Sequence, residues 1–275
     1  MPGSNKSKSK PNGRVLIIAG SDSGGGAGIQ GDIKTVTCLG GYAATAITAL
    51  TAQNTLGVFG IHDVPEKFIA QQLALVLEDI GAGAFNTGML HKESIIKTIA
   101  SIIKSYPKIP FVLDPVMFAK GGAQLLETSA LETLKTQLIP LAHIITPNVP
   151  EAEFLSGITI KDIDGMRESA KIIMGLGCKA ILLKGGHMDG EEVIDLLVTQ
   201  GDETIFMQKR VNTTHTHGTG CALASAIATG IAQKLPLEKA VERARKYVLE
   251  AIVTAPCLGN GNGPLNHGHT IRNFL

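Results

Sequence analysis

Short apolar runs alternate along the chain with longer stretches in which apolar residues recur every three or four positions. The short runs predict strands at 15–20, 44–50, 84–88, 111–116, 144–148, 180–185, 193–199 and 204–209. The longer stretches predict helices at 28–39, 65–80, 92–105, 130–138, 162–176, 219–233 and 237–254. Several of the strands are apolar on both faces, which is typical of a parallel sheet covered by helices on each side.

The alternation of strand and helix predicts an α/β fold, a three-layer α-β-α sandwich with a mostly parallel central sheet. Only the turn at 200–203 separates the last two strands, which favours a hairpin and one antiparallel sheet edge. We find no internal repeat and no linker rich in Pro, Gly or Ser between residues 14 and 255, so we expect a single domain at 14–275. The basic and polar residues 1–13 predict a disordered tail, with a basic anchoring arm as the alternative.

Composition argues against several classes of partner. The 25 basic and 24 acidic residues give a net charge of +1, and aromatic residues make up 4% of the chain with no Trp, so nucleic-acid binding is not expected. No apolar run reaches the ~18 residues of a membrane span, so no membrane partner is expected. The four cysteines lie far apart without a CxxC pair, which favours free thiols in a reducing cytoplasm over disulfides or zinc.

Polar residues mark the ends of the predicted strands. They are Ser21, Asp22, Gln53, Asn54, Asn86, Asp114, Asn148, Lys184 and His187. Ligands of open α/β sheets bind beyond the carboxyl ends of the strands, so we expect the site at that edge of the sheet.

Small residues open the apolar helix that follows the segment TTHTHGTGC at 213–221. Gly218, Thr219 and Gly220 leave the first backbone N–H groups clear of side chains, an arrangement that binds phosphate through hydrogen bonds and the helix dipole. The alternative is that the glycines serve tight packing only. Cys221 lies in the first turn, where a thiol is expected to have a lowered pKa and to act as base or nucleophile, unless it is a small buried apolar residue.

Three other residues near strand ends suit phosphate chemistry. Asp114 follows an apolar strand and precedes a proline, so its carboxylate can face Mg²⁺ or can cap a turn. Glu151 lies in a first helical turn shortly after Asn148, where it can organise water around Mg²⁺ or serve the helix terminus. Lys184 ends an apolar strand before two glycines and can reach a nucleotide phosphate, or can be an ordinary edge lysine.

The glycine-rich stretch 19–32 follows a strand and opens a helix. It lacks the strict G-x-G-x-x-G spacing and the later acidic residue of a dinucleotide site, so NAD binding is not expected.

Eight motifs in this order resemble those of a known family. They are AGSDSGGGAGIQGDIKT, ITALTAQNT, NTGML, DPVM, TPNVPEAEFL, LLKGGH, HGTGCALASAIA and GNGPLNH. The chain resembles, over about residues 14–270, the ribokinase-like hydroxymethylpyrimidine/phosphomethylpyrimidine kinases of thiamine biosynthesis. The resemblance implies a homodimer that uses ATP and Mg²⁺ to phosphorylate 4-amino-5-hydroxymethyl-2-methylpyrimidine and then its monophosphate.

The same resemblance implies roles for individual residues. It implies pyrimidine contacts at Gly20, Asp32, Gln53 and Met89, and metal contacts at Asp114 and Glu151. It implies nucleotide contacts at Asn148, Lys184 and Thr219. It implies catalytic positions at Gly218, Gly220, Cys221 and Lys184. The chain departs from the family where Ser23 replaces a common Pro, where 212–214 lack an Asp, and where Asn260 and Asn262 replace His.

Other functions stay open at this point. A pyridoxal or pyridoxine kinase of the same superfamily is the close alternative, because its substrate is also a flat heteroaromatic ring with a hydroxymethyl group. A thiol hydrolase that uses Cys221 with His217 or His215 is a second alternative, and a nucleotide sensor without catalysis is a third. Related sugar and pyridoxal kinases carry Asp at the position of Cys221. We expect the thiol to act as base in the first transfer and to avoid repelling the anionic monophosphate in the second.

Overall fold

The computed structural model describes residues 12–119, 122 and 124–271. Its strands are β1 (Arg14–Asp22), β2 (Tyr42–Asn54), β3 (Gly57–Asp63), β4 (Ala84–Thr87), β5 (Phe111–Leu113), β6 (Ile144–Ile145), β7 (Ala180–Lys184), β8 (Glu192–Thr199) and β9 (Glu203–Lys209). Its α-helices are α1 (Gly28–Cys38), α2 (Glu66–Asp79), α3 (Glu93–Lys104), α4 (Ala130–Thr133), α5 (Val149–Ser156), α6 (Ile163–Met174), α7 (Thr219–Ala232) and α8 (Leu237–Val253). A π-helical turn (Leu134–Leu138) continues α4, so only the start of the predicted helix at 130–138 is α-helical.

The described strands form one sheet in the order β3-β2-β1-β4-β5-β6-β7-β8-β9. Six neighbouring strands from β2 to β7 are parallel, whereas β3 is antiparallel to β2 at one edge. β8 and β9 complete the other edge in antiparallel pairing, which confirms the predicted hairpin. The mostly parallel sheet therefore brings the carboxyl ends of six strands to the same edge.

The alternating residues of β1 show how the three layers form. Val15, Ile17 and Ala19 pack with the apolar faces of α1, α7 and α8. Leu16 and Ile18 point to the opposite face and pack with α2, α3 and α6. Because side chains of a strand alternate between the two faces of the sheet, an apolar strand of this kind must be covered on both sides. The predicted α-β-α sandwich is confirmed.

The sequence pattern did not predict β3. Its residues include Gly57 and Gly60, and its side chains are largely exposed, with Phe59 at 72% exposure. A strand without a buried face shows no alternation of apolar and polar positions, so periodicity gives no signal for it. Both edges of the sheet are consequently antiparallel, rather than the one edge that was expected.

The predicted tail at 1–13 lies outside the described residues, except for Asn12 and Gly13. The backbone N–H of Asn12 donates to the carbonyl of Gly40 at 3.0 Å, and Tyr42 donates to the carbonyl of Gly13 at 2.9 Å. Asn12 and Gly13 are thus hydrogen-bonded to the domain. Within the described ranges, none of the helices has the length and apolar character needed to cross a bilayer.

Candidate active site

Most of the polar strand ends converge on one cavity of about 470 Å³. Its lining includes Ser21, Asp22, Gln53, Asp114, Asn148, Lys184 and His187, as expected from their places at the carboxyl ends of the strands. Asn54 and Asn86 have other positions. The Asn54 side chain accepts a hydrogen bond from the Leu56 backbone at 2.8 Å in the β2–β3 turn, and Asn86 is buried within β4.

A second cavity of about 280 Å³ adjoins the first. Its wall is largely apolar and includes Val211, Leu223, Val248, Leu249 and Ile252. The sequence did not single these residues out. Those on α7 and α8 have the same spacing as ordinary core positions, and Val211 is an isolated apolar residue after β9. The two cavities share six lining residues: Asn148, Lys184, His187, Thr216, Thr219 and Gly220. A ligand that spans both cavities must therefore pass over the start of α7.

Two glycines leave space at the N-terminus of α7. Gly218 precedes the helix with a φ of 87°, and a Cβ built on it would lie 1.9 Å from the carbonyl oxygen of Gly26. A Cβ on Gly220 would lie 3.3 Å from the Lys184 Nζ and 3.6 Å from the Asp114 Oδ2. Among the described residues, no side chain caps this helix end. Its first backbone N–H groups thus face the rim that the two cavities share, which suits an anion.

Lys184 and Asp114 form a buried ion pair beside that helix end. The Lys184 Nζ lies 3.1 Å from the Asp114 Oδ1, which also accepts a hydrogen bond from the Thr146 hydroxyl at 3.0 Å. Burial alone would lower the pKa of Lys184, but the carboxylates of Asp114 and Glu151 outweigh it and raise that pKa. The ammonium group therefore keeps its charge at the shared rim.

Glu151 lines the cavity and also closes the N-terminus of α5. Its Oε2 accepts from the Asn148 backbone N–H at 2.8 Å, while the Asn148 side chain accepts from the Glu151 N–H at 2.9 Å. This reciprocal pair is a capping box. Burial raises the pKa of Glu151 to about 7, with Lys184 opposing that rise and Asp114 adding to it. The charge of this carboxyl therefore changes near neutral pH.

The two carboxyl groups fit a Mg²⁺ site that is completed by other ligands. Asp114 and Glu151 line the same cavity, and the capping box involves only the Oε2 of Glu151. Within the described ranges, no group of three or more Asp, Glu, His or Cys side chains could hold a metal alone. Mg²⁺ commonly binds one or two carboxylates and takes its remaining ligands from phosphate and water, so this donor set suits Mg²⁺ that arrives with a nucleotide.

The expectation that Cys221 has a lowered pKa is wrong. Burial raises the pKa of this thiol well above its ordinary value, and the nearby carboxyl groups of Asp32 and Asp114 add to the rise. Lys184 acts in the opposite direction but does not offset these effects. Cys221 lines the cavity as a neutral thiol at pH 7, which argues against a thiolate hydrolase.

Asp32 does not line the cavity, in contrast to the pyrimidine contact that the resemblance implied. It lies on the inward face of α1 and is fully buried. Burial raises the pKa of Asp32 well above the usual range, and the nearby Ser225 hydroxyl opposes that rise without offsetting it. The fully buried Asp32 carboxyl thus lies behind Cys221, where it holds a proton more tightly than an exposed Asp does. The other three implied contacts, Gly20, Gln53 and Met89, do line the cavity.

A second buried ion pair supports the floor of the smaller cavity. The Arg245 Nε donates to the Asp195 Oδ2 at 2.7 Å, and the Asp195 Oδ1 accepts from the Gly185 N–H at 3.0 Å. Asp195 lies opposite Lys184 in the β7–β8 ladder. The pair therefore fixes the turn that follows Lys184. Neither residue was predicted, because a single Asp in β8 and a single Arg in α8 carry no motif.

The chain is similar to known kinases over most of its length. A family model described as phosphomethylpyrimidine kinase matches residues 22–266. The chain is 45% identical over 258 residues to the hydroxymethylpyrimidine/phosphomethylpyrimidine kinase of Haemophilus influenzae, covering 92% of this chain and 96% of that relative. It is 50% identical over 257 residues to the thiamine biosynthesis bifunctional protein ThiED of Geobacter sulfurreducens, covering 94% of this chain but 52% of that longer protein.

The crystal structure of an ADP complex of Bacillus subtilis pyridoxal kinase is also similar. It has a TM-score of 0.88 and 34% sequence identity, and the match covers 95% of this chain and 99% of that one. Each of these matches spans most of the chain, so the similarity is not limited to a single motif.

Proposed function

Because the chain belongs to the phosphomethylpyrimidine kinase family, we propose that its two cavities hold the two substrates of a hydroxymethylpyrimidine/phosphomethylpyrimidine kinase of thiamine biosynthesis. The enzyme is a phosphotransferase that uses ATP. The observation that carries the assignment of the cavities is their shared rim, where the N-terminus of α7 meets Lys184 and Asp114. A phosphoryl group that leaves one cavity for the other must cross this rim.

The larger cavity suits the pyrimidine, and the smaller one suits the nucleotide. Gly20 and Met89 give the larger cavity a wall against which a flat ring can lie, and Gln53 offers a side-chain amide to the ring edge. The apolar wall of the smaller cavity suits a purine base. Asn148 and Thr219 lie on the shared rim, where the nucleotide's phosphates would pass.

Charge stabilisation at the rim is the main chemistry that the protein supplies. The backbone N–H groups of Gly220 and Cys221 would bind the transferring phosphoryl group, and Gly218 gives the chain the turn that exposes them. The Lys184 ammonium would share the negative charge of that group. Asp114 and Glu151 would hold Mg²⁺, which neutralises nucleotide phosphate charge when bound.

Cys221 suits both acceptors of the proposed reaction. Its neutral thiol does not repel the anionic monophosphate of the second transfer, whereas a fixed carboxylate would. In the first transfer the acceptor is a hydroxyl group that must lose its proton. We assign that proton to the Cys221 sulfur: the thiol first releases its own proton to solvent, and the resulting thiolate takes the hydroxyl proton. The raised pKa makes the thiolate a strong base.

We also propose a homodimer in the cytoplasm. Six large apolar side chains are exposed on the continuous segment β2–β3–α2: Leu50, Leu56, Phe59, Ile61, Phe68 and Leu75. Such an accumulation is typical of a surface that a partner covers. Light scattering should give twice the monomer mass. The four free cysteines support a reducing compartment.

The experiment that tests the proposed function is ADP release. The protein is offered hydroxymethylpyrimidine, its monophosphate and pyridoxal, each with and without Mg²⁺. We expect Mg²⁺-dependent turnover of both pyrimidines that exceeds turnover of pyridoxal. Turnover of pyridoxal alone would indicate a pyridoxal kinase, the activity named for the similar Bacillus subtilis structure. Binding of MgATP without ADP release would indicate a sensor.

A further inference from the structure

The carboxylate of Asp22 organises the glycine-rich loop that follows β1. Its Oδ1 accepts from the Gly24 N–H at 2.8 Å, and its Oδ2 accepts from Gly26 at 3.1 Å and from Ala27 at 2.9 Å. The same Oδ2 lies 2.8 Å from the His217 Nε2. Burial alone would raise the pKa of Asp22, but the His217 and backbone hydrogen bonds outweigh it and lower that pKa. The carboxylate is therefore ionised, and the His217 Nε2 carries the proton that it donates.

His217 fastens this loop to the start of α7. It directly precedes Gly218, and its backbone N–H donates to the carbonyl of Gly263 at 3.1 Å. The two segments touch closely at glycines: a Cβ on Gly26 would lie 2.6 Å from the His217 ring, and a Cβ on Gly218 would lie 1.9 Å from the Gly26 carbonyl oxygen. The Asp22–His217 bond is a buried polar link across this contact. The position of the helix N-terminus is thus tied to the glycine-rich loop.

The same histidine determines the orientation of the Gln53 amide. The Gln53 Nε2 lies 3.3 Å from the His217 Nε2, and the Gln53 Oε1 lies 3.2 Å from the Thr51 hydroxyl oxygen. The nitrogen and oxygen of an amide exchange places when it turns by about 180°, so the hydrogen bonds decide which orientation is correct. A protonated ring nitrogen has no lone pair, so the amide atom that faces it must be the oxygen. The amide nitrogen then faces Thr51, whose hydroxyl donates to the Ser21 carbonyl at 2.8 Å and can accept in turn. One N–H of Gln53 remains for a ligand.

The backbone of Gln53 is held by the same loop. The Ser23 hydroxyl donates to the Gln53 carbonyl at 2.9 Å and accepts from the Gln53 N–H at 2.8 Å. A proline at position 23 could make neither bond through its side chain. The loop that contains Asp22 therefore fixes both the backbone and, through His217, the side chain of the residue assigned to the ring edge.

We infer that Asp22 and His217 are positioning residues that hold the α7 N-terminus against the glycine-rich loop and present Gln53 as a hydrogen-bond donor to the substrate ring. The inference rests on the proposed function, because it assigns the ligand of the larger cavity to a heteroaromatic ring with an acceptor nitrogen at its edge. His217 lines the larger cavity and is absent from the lining of the smaller one. Its loss should therefore weaken binding of the pyrimidine more than binding of the nucleotide, and displacement of the α7 N-terminus should lower kcat.

The test compares His217→Leu with His215→Leu, a matched substitution two residues away at a side chain that lines neither cavity. The affinity for hydroxymethylpyrimidine without ATP is measured by calorimetry, and KM for each substrate and kcat are measured by ADP release. We expect His217→Leu to raise Kd and KM for the pyrimidine about tenfold, as for the loss of one buried hydrogen bond, with KM for ATP changed less than about twofold. His217→Gln, which can still donate a hydrogen bond, should recover most of the pyrimidine affinity.

Two controls separate the possible failures. If the wild-type protein phosphorylates no pyrimidine, the proposed function fails. If the wild-type protein turns over but His217→Leu behaves like His215→Leu, or raises both KM values equally, the positioning role is wrong. If His217→Leu does not fold, the isosteric Asp22→Asn variant takes its place. It should show the same selective rise in pyrimidine Kd, and unchanged affinity would overturn the inference.

Discussion

Glu151→Gln should make the protein more stable at alkaline pH. The folded state raises the pKa of Glu151 from 4.5 to about 7. This carboxyl therefore favours the folded state fully below about pH 4.5, and that contribution is lost as the pH rises through about 7. At about 1.4 kcal/mol per pKa unit, the whole effect is about 3 kcal/mol. Glutamine keeps the capping box, because its side-chain oxygen can still accept from the Asn148 N–H.

The measurement is the free energy of unfolding in urea, without nucleotide or Mg²⁺, at about pH 5 and about pH 8. Relative to Glu151→Gln, the wild-type protein should lose about 2–3 kcal/mol between these two conditions. Glu153→Gln removes a carboxylate from the same helix outside both cavities and reports the background pH dependence. An equal difference in unfolding free energy between wild type and Glu151→Gln at both pH values would contradict the raised pKa of Glu151.

Three further substitutions test the shared rim. Gly218→Ala should lower kcat at least about 100-fold, because its Cβ would lie 1.9 Å from the Gly26 carbonyl oxygen and would displace the start of α7. Gly57→Ala, where an added Cβ meets no atom within 4 Å, is the control in the same ADP-release assay. Lys184→Met should lower kcat by about two to three orders of magnitude, because the ammonium no longer shares the phosphoryl charge. It should also destabilise the fold, because it leaves the buried Asp114 carboxylate unpaired. Steady-state kinetics measure the first effect and thermal melting measures the second. Cys221→Ser should slow phosphorylation of the hydroxyl substrate much more than that of the monophosphate, and equal losses would contradict the proton-accepting role of the sulfur.

The sequence alone predicted most of the layers and most of the strand-end site. β1 and β7 are apolar on both faces, so their burial in a parallel sheet follows from composition alone. Because parallel strands end at the same edge, Asp114 and Lys184 could be expected to meet although 70 residues separate them. These inferences needed only the order of the elements.

Features that depend on packing could not be read from the sequence. The raised pKa of Cys221 comes from burial and from Asp32, which approaches from another helix, and local motif reasoning considered only the helix N-terminus. The burial of Asp32 follows from the rotation of α1 about its axis, which the motif does not specify. The link between Asp22 and His217 joins residues 195 positions apart. The two segments meet where Gly26 and Gly218 approach each other closely, and a contact between residues so distant in the chain has no signal in the sequence.

A crystal structure with hydroxymethylpyrimidine and a non-hydrolysable ATP analogue would show directly whether the α7 N-terminus binds the transferring phosphoryl group. We expect the terminal phosphate within about 3 Å of the Gly220 and Cys221 backbone nitrogens, with the hydroxymethyl oxygen beside the Cys221 sulfur. A terminal phosphate bound more than about 6 Å from those nitrogens, or a pyrimidine outside the cavity lined by Gln53 and His217, would contradict it.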